Sequence, residues 1–463
     1  MQHAAPLAAS PFLPFAGQRI AVLGLGRAGL PAAARLRDWG AEILCWDDHP
    51  PAREAAAARG LPLGDPAAQR GFPFDMLLLS PGIPHEGLKA HPAAIAARGA
   101  GVPVLADAEL LFRAVRAHNS SARFVGVTGT NGKSTTTALI HHLLQAAGRK
   151  TAVGGNLGPA ALSLDLLGDD GIYVLEMSSY MLERLRDLHF NVAVQLNLSP
   201  DHLDRHGDMA GYAAAKAHIF DNQQSEDVAV IGMDDASGVD FARGRAARVA
   251  PVSGHAAQPG GVWAEDRLLR DAEGVLADLD TAGALPGRHN AQNAAAAAAT
   301  VLALGLPRTA IASGLVTFPG LPHRQERVGA HGGIVFVNDS KATNADSAER
   351  ALSSYPRVVW IAGGVQKEGG IAPLAPLFDR VVHAVLIGQC AGDFAATLAA
   401  HDVPHEVAGT LDAAVPAALR AARRLAADTV LLSPACASFD QFTGFDARGD
   451  RFRALVAQLP ETA

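Results

Sequence analysis

Gly126–Thr137 reads GVTGTNGKSTTT and overlaps the end of the apolar run Phe124–Val127. A short apolar run that enters a glycine-rich turn and leaves it on a helix starting near Lys133 is the junction expected of a parallel α/β sheet. Glycine lets the backbone approach phosphate oxygens closely. The N–H groups of such a turn and of the following helix start face an anion. Lys133 is then placed to reach terminal phosphates, and Ser134 to ligate Mg2+. The spacing is not that of a strict P-loop, because Gly126 precedes Gly132 by six residues and Gly129 interrupts the loop. The alternative is a glycine turn that only joins strand to helix. Gly-Lys-Ser at that junction favours the phosphate reading.

Outward from this stretch, short Val/Ile/Leu-rich runs alternate with alanine-rich segments. The runs read as buried parallel strands and the segments as helices covering them, Ala291–Thr300 among them. Three blocks emerge. The first has strands at Arg19–Leu23, Glu42–Trp46 and Asp75–Leu79 and ends near Ala117–Ala122 (AHNSSA), which reads as a linker. The second runs through Ile172–Leu175 and Val192–Leu198 to the Pro/Gly stretch Phe318–Pro322. Within it, Met233–Gly287 reads as a strand-and-turn excursion. The third has strands at Ile334–Val337, Val358–Ile361, Ala384–Ile387 and Thr429–Leu432. The fold class is therefore α/β, built from doubly wound, mostly parallel sheets flanked by helices.

Composition narrows the functions open to such a chain. Of its 463 residues 49% are hydrophobic and 18% charged, so it can bury substantial cores. The net charge of −7 argues against duplex nucleic acid as the main partner. Cys45, Cys390 and Cys436 lie far apart in sequence, which disfavours a disulfide framework or a structural zinc site and fits a reducing compartment. No uncharged apolar run reaches about 18 residues, so no membrane insertion and a cytoplasmic location are expected. Met1–Gly17 has no Lys or Arg before its apolar stretch and reads as a leader without secretory character.

A triphosphate site needs an acid for its metal. The strand Ile172–Leu175 ends in Glu176, and a carboxylate at the C-terminal end of a parallel strand faces the crevice where such sheets bind ligands. Taken alone, such a residue is more often a solvated rim charge or a helix cap; next to the glycine-rich loop the metal reading is favoured. After the next strand comes Ser199-Pro200-Asp201-His202-Leu203-Asp204-Arg205-His206, a cluster of imidazoles and carboxylates or a charged surface turn. Lys216 sits in the helix expected over Met209–Phe220. It either snorkels to solvent or, if desolvated, has a lowered pKa and a neutral amine able to add CO2. In the first block, Gly24-Leu25-Gly26-Arg27-Ala28-Gly29 forms a GxGxxG turn, followed about 20 residues on by Asp47 and Asp48, the dinucleotide fingerprint. The same geometry holds any diphosphate at a helix start. Ser80-Pro81-Gly82-Ile83 ends the third strand beside it. In the third block, Asn338–Asn344 (NDSKATN), Ala362-Gly363-Gly364 with Lys367, and Ser433–Ser438 (SPACAS) follow strands and suit a small anion. Cys436 has no adjacent base and reads as a buried small residue.

Taken together these strings resemble the Mur ligases of peptidoglycan synthesis: GTNGKST (Gly129–Thr135), LEMSSYMLE (Leu175–Glu183), NLSPDHLDRH (Asn197–His206), AAKAHIF around Lys216, HNAQNA (His289–Ala294), GLPHRQE (Gly320–Glu326), NDSKATN and SPACASFDQFTGFDARGDRF (Ser433–Phe452). The last two resemble the member that adds D-glutamate. The resemblance implies three domains, each a Rossmann-like or P-loop-type sheet: residues 1–117 for a UDP-sugar, 118–318 for ATP and 319–463 for the incoming amino acid. It assigns Gly129, Thr130, Asn131, Gly132, Lys133, Ser134 and Thr135 to the ATP phosphates. Asn290 and Asn293 would lie near adenine, Arg324 would reach toward the nucleotide, and Asp339 would orient the site. Arg27, Ala28, Gly29, Asp47, Asp48, Gly82 and Asn156 would line the UDP-sugar site, joined by Ser178 and His202. Lys341, Thr343, Lys367, Ser438 and Phe445 would hold the amino acid.

The implied metals are two Mg2+ ions, held by Ser134, Glu176, His202 and a carbamylated Lys216. Lys133, Glu176, His202 and Lys216 form the implied catalytic set. The implied substrates are ATP, UDP-N-acetylmuramoyl-L-alanine and D-glutamate, the implied intermediate is an acyl phosphate, and the implied state is a monomer. Two positions depart from the family pattern: Met181, where relatives often have Gln, and Val365, where many have an Asp that would partner Lys367. The rivals are a related ligase adding another residue such as a folate-type glutamate, an NAD(P) oxidoreductase built on the first block, and an ATP-gated scaffold.

Overall fold

The computed structural model describes residues 12–367 and 369–460. Residues 1–11, which open the leader-like stretch, lie outside them. Three sheets carry the chain among the described residues. The first has four parallel strands in the order Glu42–Trp46, Arg19–Leu23, Met76–Leu79, Val104–Leu105. The second has nine. Its parallel centre runs Arg248–Ser253, Val228–Gly232, Val192–Gln195, Arg123–Thr128, Ile172–Glu176, Thr151–Gly155. Beyond Arg248–Ser253 it continues into Val262–Glu265, Leu268–Asp271 and Gly274–Asp278, the last two pairing antiparallel. The excursion read from Met233 to Gly287 is this extension. The third sheet has six strands, parallel except for the edge strand Glu326–His331.

Strand order decides where ligands bind. Arg123–Thr128 lies between Ile172–Glu176 and Val192–Gln195, so the chain leaves it in opposite directions for its two neighbours. That reversal opens a crevice at the C-terminal ends of the strands, where Gly129–Gly132 and Glu176 sit. The helix after the loop, Lys133–Ala146, lays Leu139, Ile140, Leu143 and Leu144 on the sheet. The alanine-rich helix Arg288–Ala303 buries Ala294–Ala299 completely or nearly so. Its alanines thus serve close packing as well as helix propensity.

By packing, the chain forms two compact units: one comprises Met1–Leu279 with His289–Val316, the other Asp280–Arg288 with Thr317–Ala463. The first two sheets share a single unit because they share a core. Leu110, Leu111 and Phe124 lie in one buried cluster with Ile20, Leu162 and Tyr173, and Phe124 stacks on Tyr173 at 4.7 Å between ring centroids. The expected linker Ala117–Ala122 is a pinned turn. Ser120 donates its hydroxyl to the Leu167 carbonyl at 2.7 Å, and Arg116 donates to the carbonyls of Ser120 and Ala122. Polar residues there satisfy buried backbone groups, a need composition does not distinguish from solvation. No helix among the described residues is long and apolar enough to cross a membrane.

Candidate active site

The glycine-rich loop Gly129–Gly132 is fixed by strain-tolerant glycines and by its neighbours. Gly132, at φ +82°, ends the loop just before the Lys133 helix, and a Cβ there would lie 2.2 Å from Asn293 Oδ1. The Asn131 N–H donates to Asn197 Oδ1 at 2.8 Å, and the Thr130 N–H to the Asn197 carbonyl at 2.9 Å. Ser199 donates its N–H to Thr130 Oγ1. The loop is thus strapped to the segment that opens the His202 turn. Asn293 accepts from Thr136 and donates to Asn290 Oδ1, so this pair braces the loop from beneath. Ser134 is buried and Thr135 half-buried in the first turn of the helix.

Two lysines share one acceptor. The Gly129 carbonyl accepts from Lys133 Nζ at 2.9 Å and from Lys216 Nζ at 2.8 Å. Lys133 also donates to the Thr130 carbonyl at 2.8 Å. Lys216 is 1% exposed and lies over the Tyr212 ring, so the snorkelling alternative is excluded. Burial, reinforced by the Lys133 charge and opposed by Asp201, pulls its pKa from 10.5 down to about 6. Burial thus favours the neutral amine.

Glu176 is buried at the end of its strand, which excludes a solvated rim charge. Its Oε1 accepts from Asn156 Nδ2 at 2.6 Å, and its Oε2 has no hydrogen-bond partner among the described residues. An orphaned carboxylate oxygen beside a phosphate loop is what a hard cation such as Mg2+ takes, so Glu176 and Ser134 fit that ion. His202 stands apart. Its side chain is 45% exposed on a left-handed turn, 3.4 Å from Asp201. The described residues contain no group of three or more His, Cys, Asp or Glu placed to hold a metal.

A cavity of about 700 Å3 opens over the first sheet. It is lined by Arg27, Ala28, Asp47, Asp48, Gly82 and Asn156, and by Met181, at one of the departures from the family pattern. Gly29 lies beneath it, where a Cβ would meet the Gly24 carbonyl at 1.7 Å. Asp47 accepts from the Leu25 N–H at 2.6 Å, so it holds the glycine turn itself. Asp48 meets Trp46 Nε1 and His91. Arg27 donates to the Asn156 carbonyl at 3.1 Å, and the Asn156 amide reaches Glu176. Asn156 therefore links this cavity to the Glu176 carboxylate. Ser178 is not in its lining; it caps the short helix Ser179–Leu182. His202 does not line it either.

In the second unit, Asp339 is buried. It accepts from Ser433 Oγ at 2.7 Å and from the Gln325 N–H at 3.2 Å, and burial raises its pKa to about 7. Lys341 Nζ lies 5.4 Å above the Phe445 ring. Ser438 is buried and its hydroxyl has no partner among the described residues. Thr343 is half-buried and Arg324 exposed. Lys367 opens onto a separate cavity with Gln366, Gly370 and Phe394. Val365 exchanges two backbone hydrogen bonds with Ala437, at 2.9 and 3.0 Å, so the position works through its backbone.

Several buried groups escape sequence reasoning. The His206 side chain, 2% exposed, lies between Glu183, at 3.1 Å, and Ser179, at 2.9 Å, and stacks on Tyr180. Glu109 accepts from the N–H groups of Arg186, Asp187 and Leu188. Arg448 binds Ser340 and the Cys436 carbonyl. Cys390 and Cys436, 46 residues apart, bring their sulfurs to 3.4 Å as free thiols. The strings NLSPDHLDRH, SPACAS and GFDARGDRF contain His206, Cys436 and Arg448, but nothing in them gives these partners.

Comparison with known proteins places this geometry. Residues 127–301 match the Mur ligase middle domain, and residues 323–436 match the Mur ligase glutamate ligase domain. The chain is 48% identical over 461 residues to the UDP-N-acetylmuramoylalanine--D-glutamate ligase of Caulobacter sp. (strain K31), covering 97% of this chain and 98% of that one. It is 48% identical over 450 residues to the enzyme of the same name from Paramagnetospirillum magneticum, covering 95% and 96%. Among solved structures, the UDP-N-acetylmuramate-alanine ligase MurC of Thermotoga maritima shares the fold, with a TM-score of 0.58 at 18% identity over 94% of this chain and 98% of that one. A glycine-rich loop strapped to the Asn197–Ser199 segment, a buried strand-end glutamate at the same sheet edge, and relatives matched along nearly their whole length lead to one assignment: the chain belongs to the Mur ligase family.

Proposed function

We propose that this Mur ligase joins D-glutamate to UDP-N-acetylmuramoyl-L-alanine at the cost of ATP, in the synthesis of a peptidoglycan precursor. The observation that carries the reading is the Asn156–Glu176 link. It ties the 700 Å3 cavity, suited to a UDP-sugar, to a carboxylate with an open oxygen beside the phosphate loop. In this reading residues 1–117, 118–318 and 319–463 serve the sugar nucleotide, ATP and amino acid respectively.

A free carboxylate is a poor electrophile. The L-alanyl carboxylate attacks the γ-phosphorus of ATP, the bond from that phosphorus to the β–γ bridging oxygen breaks, and ADP leaves. The acyl phosphate then accepts the neutral amine of D-glutamate at its carbonyl carbon. The tetrahedral adduct expels phosphate, and the amine proton passes to a base. Lys133 holds the phosphates, and the loop N–H groups orient them. Ser134 and Glu176 would hold a first Mg2+. His202 and a carbamylated Lys216 are proposed for a second. When bound, these ions offset charge on the phosphoryl oxygens. The neutral Lys216 amine is the form that adds CO2, which supports the carbamate proposal. Lys341, Thr343, Lys367, Ser438 and Phe445 are proposed for the amino acid, with Asp339 positioning them.

The test is phosphate release. Release should require ATP, UDP-N-acetylmuramoyl-L-alanine and D-glutamate together, and should fall to background with L-glutamate. Equal release with another amino acid would reassign the substrate.

A further inference from the structure

The turn that ends the third strand of the first sheet, Ser80-Pro81-Gly82-Ile83, is held from behind by a residue of the central block. Arg184, just past the helix Ser179–Leu182, is 2% exposed. Its Nη1 donates to the carbonyls of Leu79 and Ser80, both at 2.9 Å, and its Nη2 to those of Pro81 and Ile83, both at 3.0 Å. Among the described residues its hydrogen bonds go only to these carbonyls, while the Arg205 and Glu183 charges act on it from nearby. A buried cation whose hydrogen bonds all go to carbonyl oxygens is little screened by water.

Peptide geometry fixes what the turn offers on its other side. In a trans peptide the C=O and N–H point in opposite directions. The Pro81 carbonyl points at Arg184, so the Gly82 N–H points away from it, at a residue that lines the 700 Å3 cavity. The other N–H groups of the turn are spent or missing. Ser80 donates to the Leu23 carbonyl, Ile83 donates to Ser80, and Pro81 and Pro84 have none. Among the described residues the Gly82 N–H has no hydrogen-bond partner.

We propose that Arg184 is a positioning residue for anion recognition: it sets the Ser80–Ile83 turn so that the Gly82 N–H and the buried guanidinium charge together meet a phosphate of the UDP group. This rests on the UDP-sugar reading and says which element of the cavity selects the diphosphate. Lys89, exposed at the cavity, adds charge on a side chain that must be ordered. Arg184 supplies a charge that is already fixed, so its contribution costs no ordering on binding.

The test uses the full chain, with UDP and uridine as probes in calorimetric titrations. Arg184→Met should weaken UDP by at least about tenfold, equivalent to about 1.4 kcal/mol, and leave uridine within about twofold of wild type. Arg184→Lys keeps the charge but cannot span four carbonyls, and should lose roughly threefold for UDP alone. If Arg184→Met does not fold, the lysine variant carries the same comparison. Equal losses for both probes, or no loss for UDP, would show Arg184 to be only a tie between blocks and overturn the proposal. Wild-type protein that binds neither probe would instead refute the UDP-sugar reading.

Discussion

Replacing Lys216 with Met should make the folded protein more stable while destroying its activity, and the size of the gain should depend on pH. Lys216 is buried, and its amine titrates near pH 6 when folded against 10.5 for the free side chain. Between those values the unfolded chain carries a proton that the folded chain lacks. Unfolding then takes up a proton, so this group's contribution to stability is least favourable below about pH 6 and improves by about 1.4 kcal/mol per pH unit above it. At pH 7 the cost of holding the amine neutral is roughly 5 kcal/mol, and its hydrogen bond to the Gly129 carbonyl returns about 1 kcal/mol. Met fills similar volume without that cost, so Lys216→Met should gain on the order of 3 kcal/mol at neutral pH. Urea unfolding in metal-free, bicarbonate-free buffer measures the difference. It should narrow by about 2.7 kcal/mol between about pH 6.5 and 8.5 as the wild type recovers. A difference that does not change with pH, or a variant less stable throughout, would refute the claim that burial neutralises this lysine.

Three further changes probe the rest of the site. Glu176→Gln keeps an acceptor for Asn156 but removes the charge at the open oxygen, so the protein should fold normally and need at least about tenfold more Mg2+ for phosphate release, measured by Mg2+ titration. Gly132→Ala places a Cβ against Asn293 at a left-handed position; it should cost about 1–3 kcal/mol in thermal unfolding and abolish ATP binding in calorimetry. Asp339 is held protonated to about pH 7 against 3.8 for the free side chain. Between those values the folded chain carries the extra proton, so this group's contribution falls as pH rises and is level above 7. Asp339→Asn should remove that slope from a pH series of unfolding midpoints.

Much of the architecture was legible because the signals were local. Phe124–Val127 followed by glycines and Gly-Lys-Ser marks a strand, a turn and a helix within one short window, and the strand-end position of Glu176 follows from the same logic. Asp47 and Gly82 could be placed at one cavity because each follows a strand of the first sheet. What stayed hidden depends on the fold. The burial of Lys216 cannot be read from a helix whose other residues are mostly small or apolar and so mark no single buried face. The Cys390–Cys436 approach and the Arg184 clasp join segments 46 and about 100 residues apart. The stretch Ala117–Ala122 misled for a related reason: Ser120 is polar because it answers a buried carbonyl, and a linker would show the same composition.

The central claim is that ATP activates the L-alanyl carboxylate by phosphorylating it. Supplying UDP-N-acetylmuramoyl-L-alanine with heavy oxygen in that carboxylate, together with ATP, Mg2+ and D-glutamate, tests it in one reaction. Mass spectrometry of the released phosphate should find one heavy oxygen per phosphate formed. Phosphate carrying only unlabelled oxygen, released at the rate of amide formation, would contradict the account.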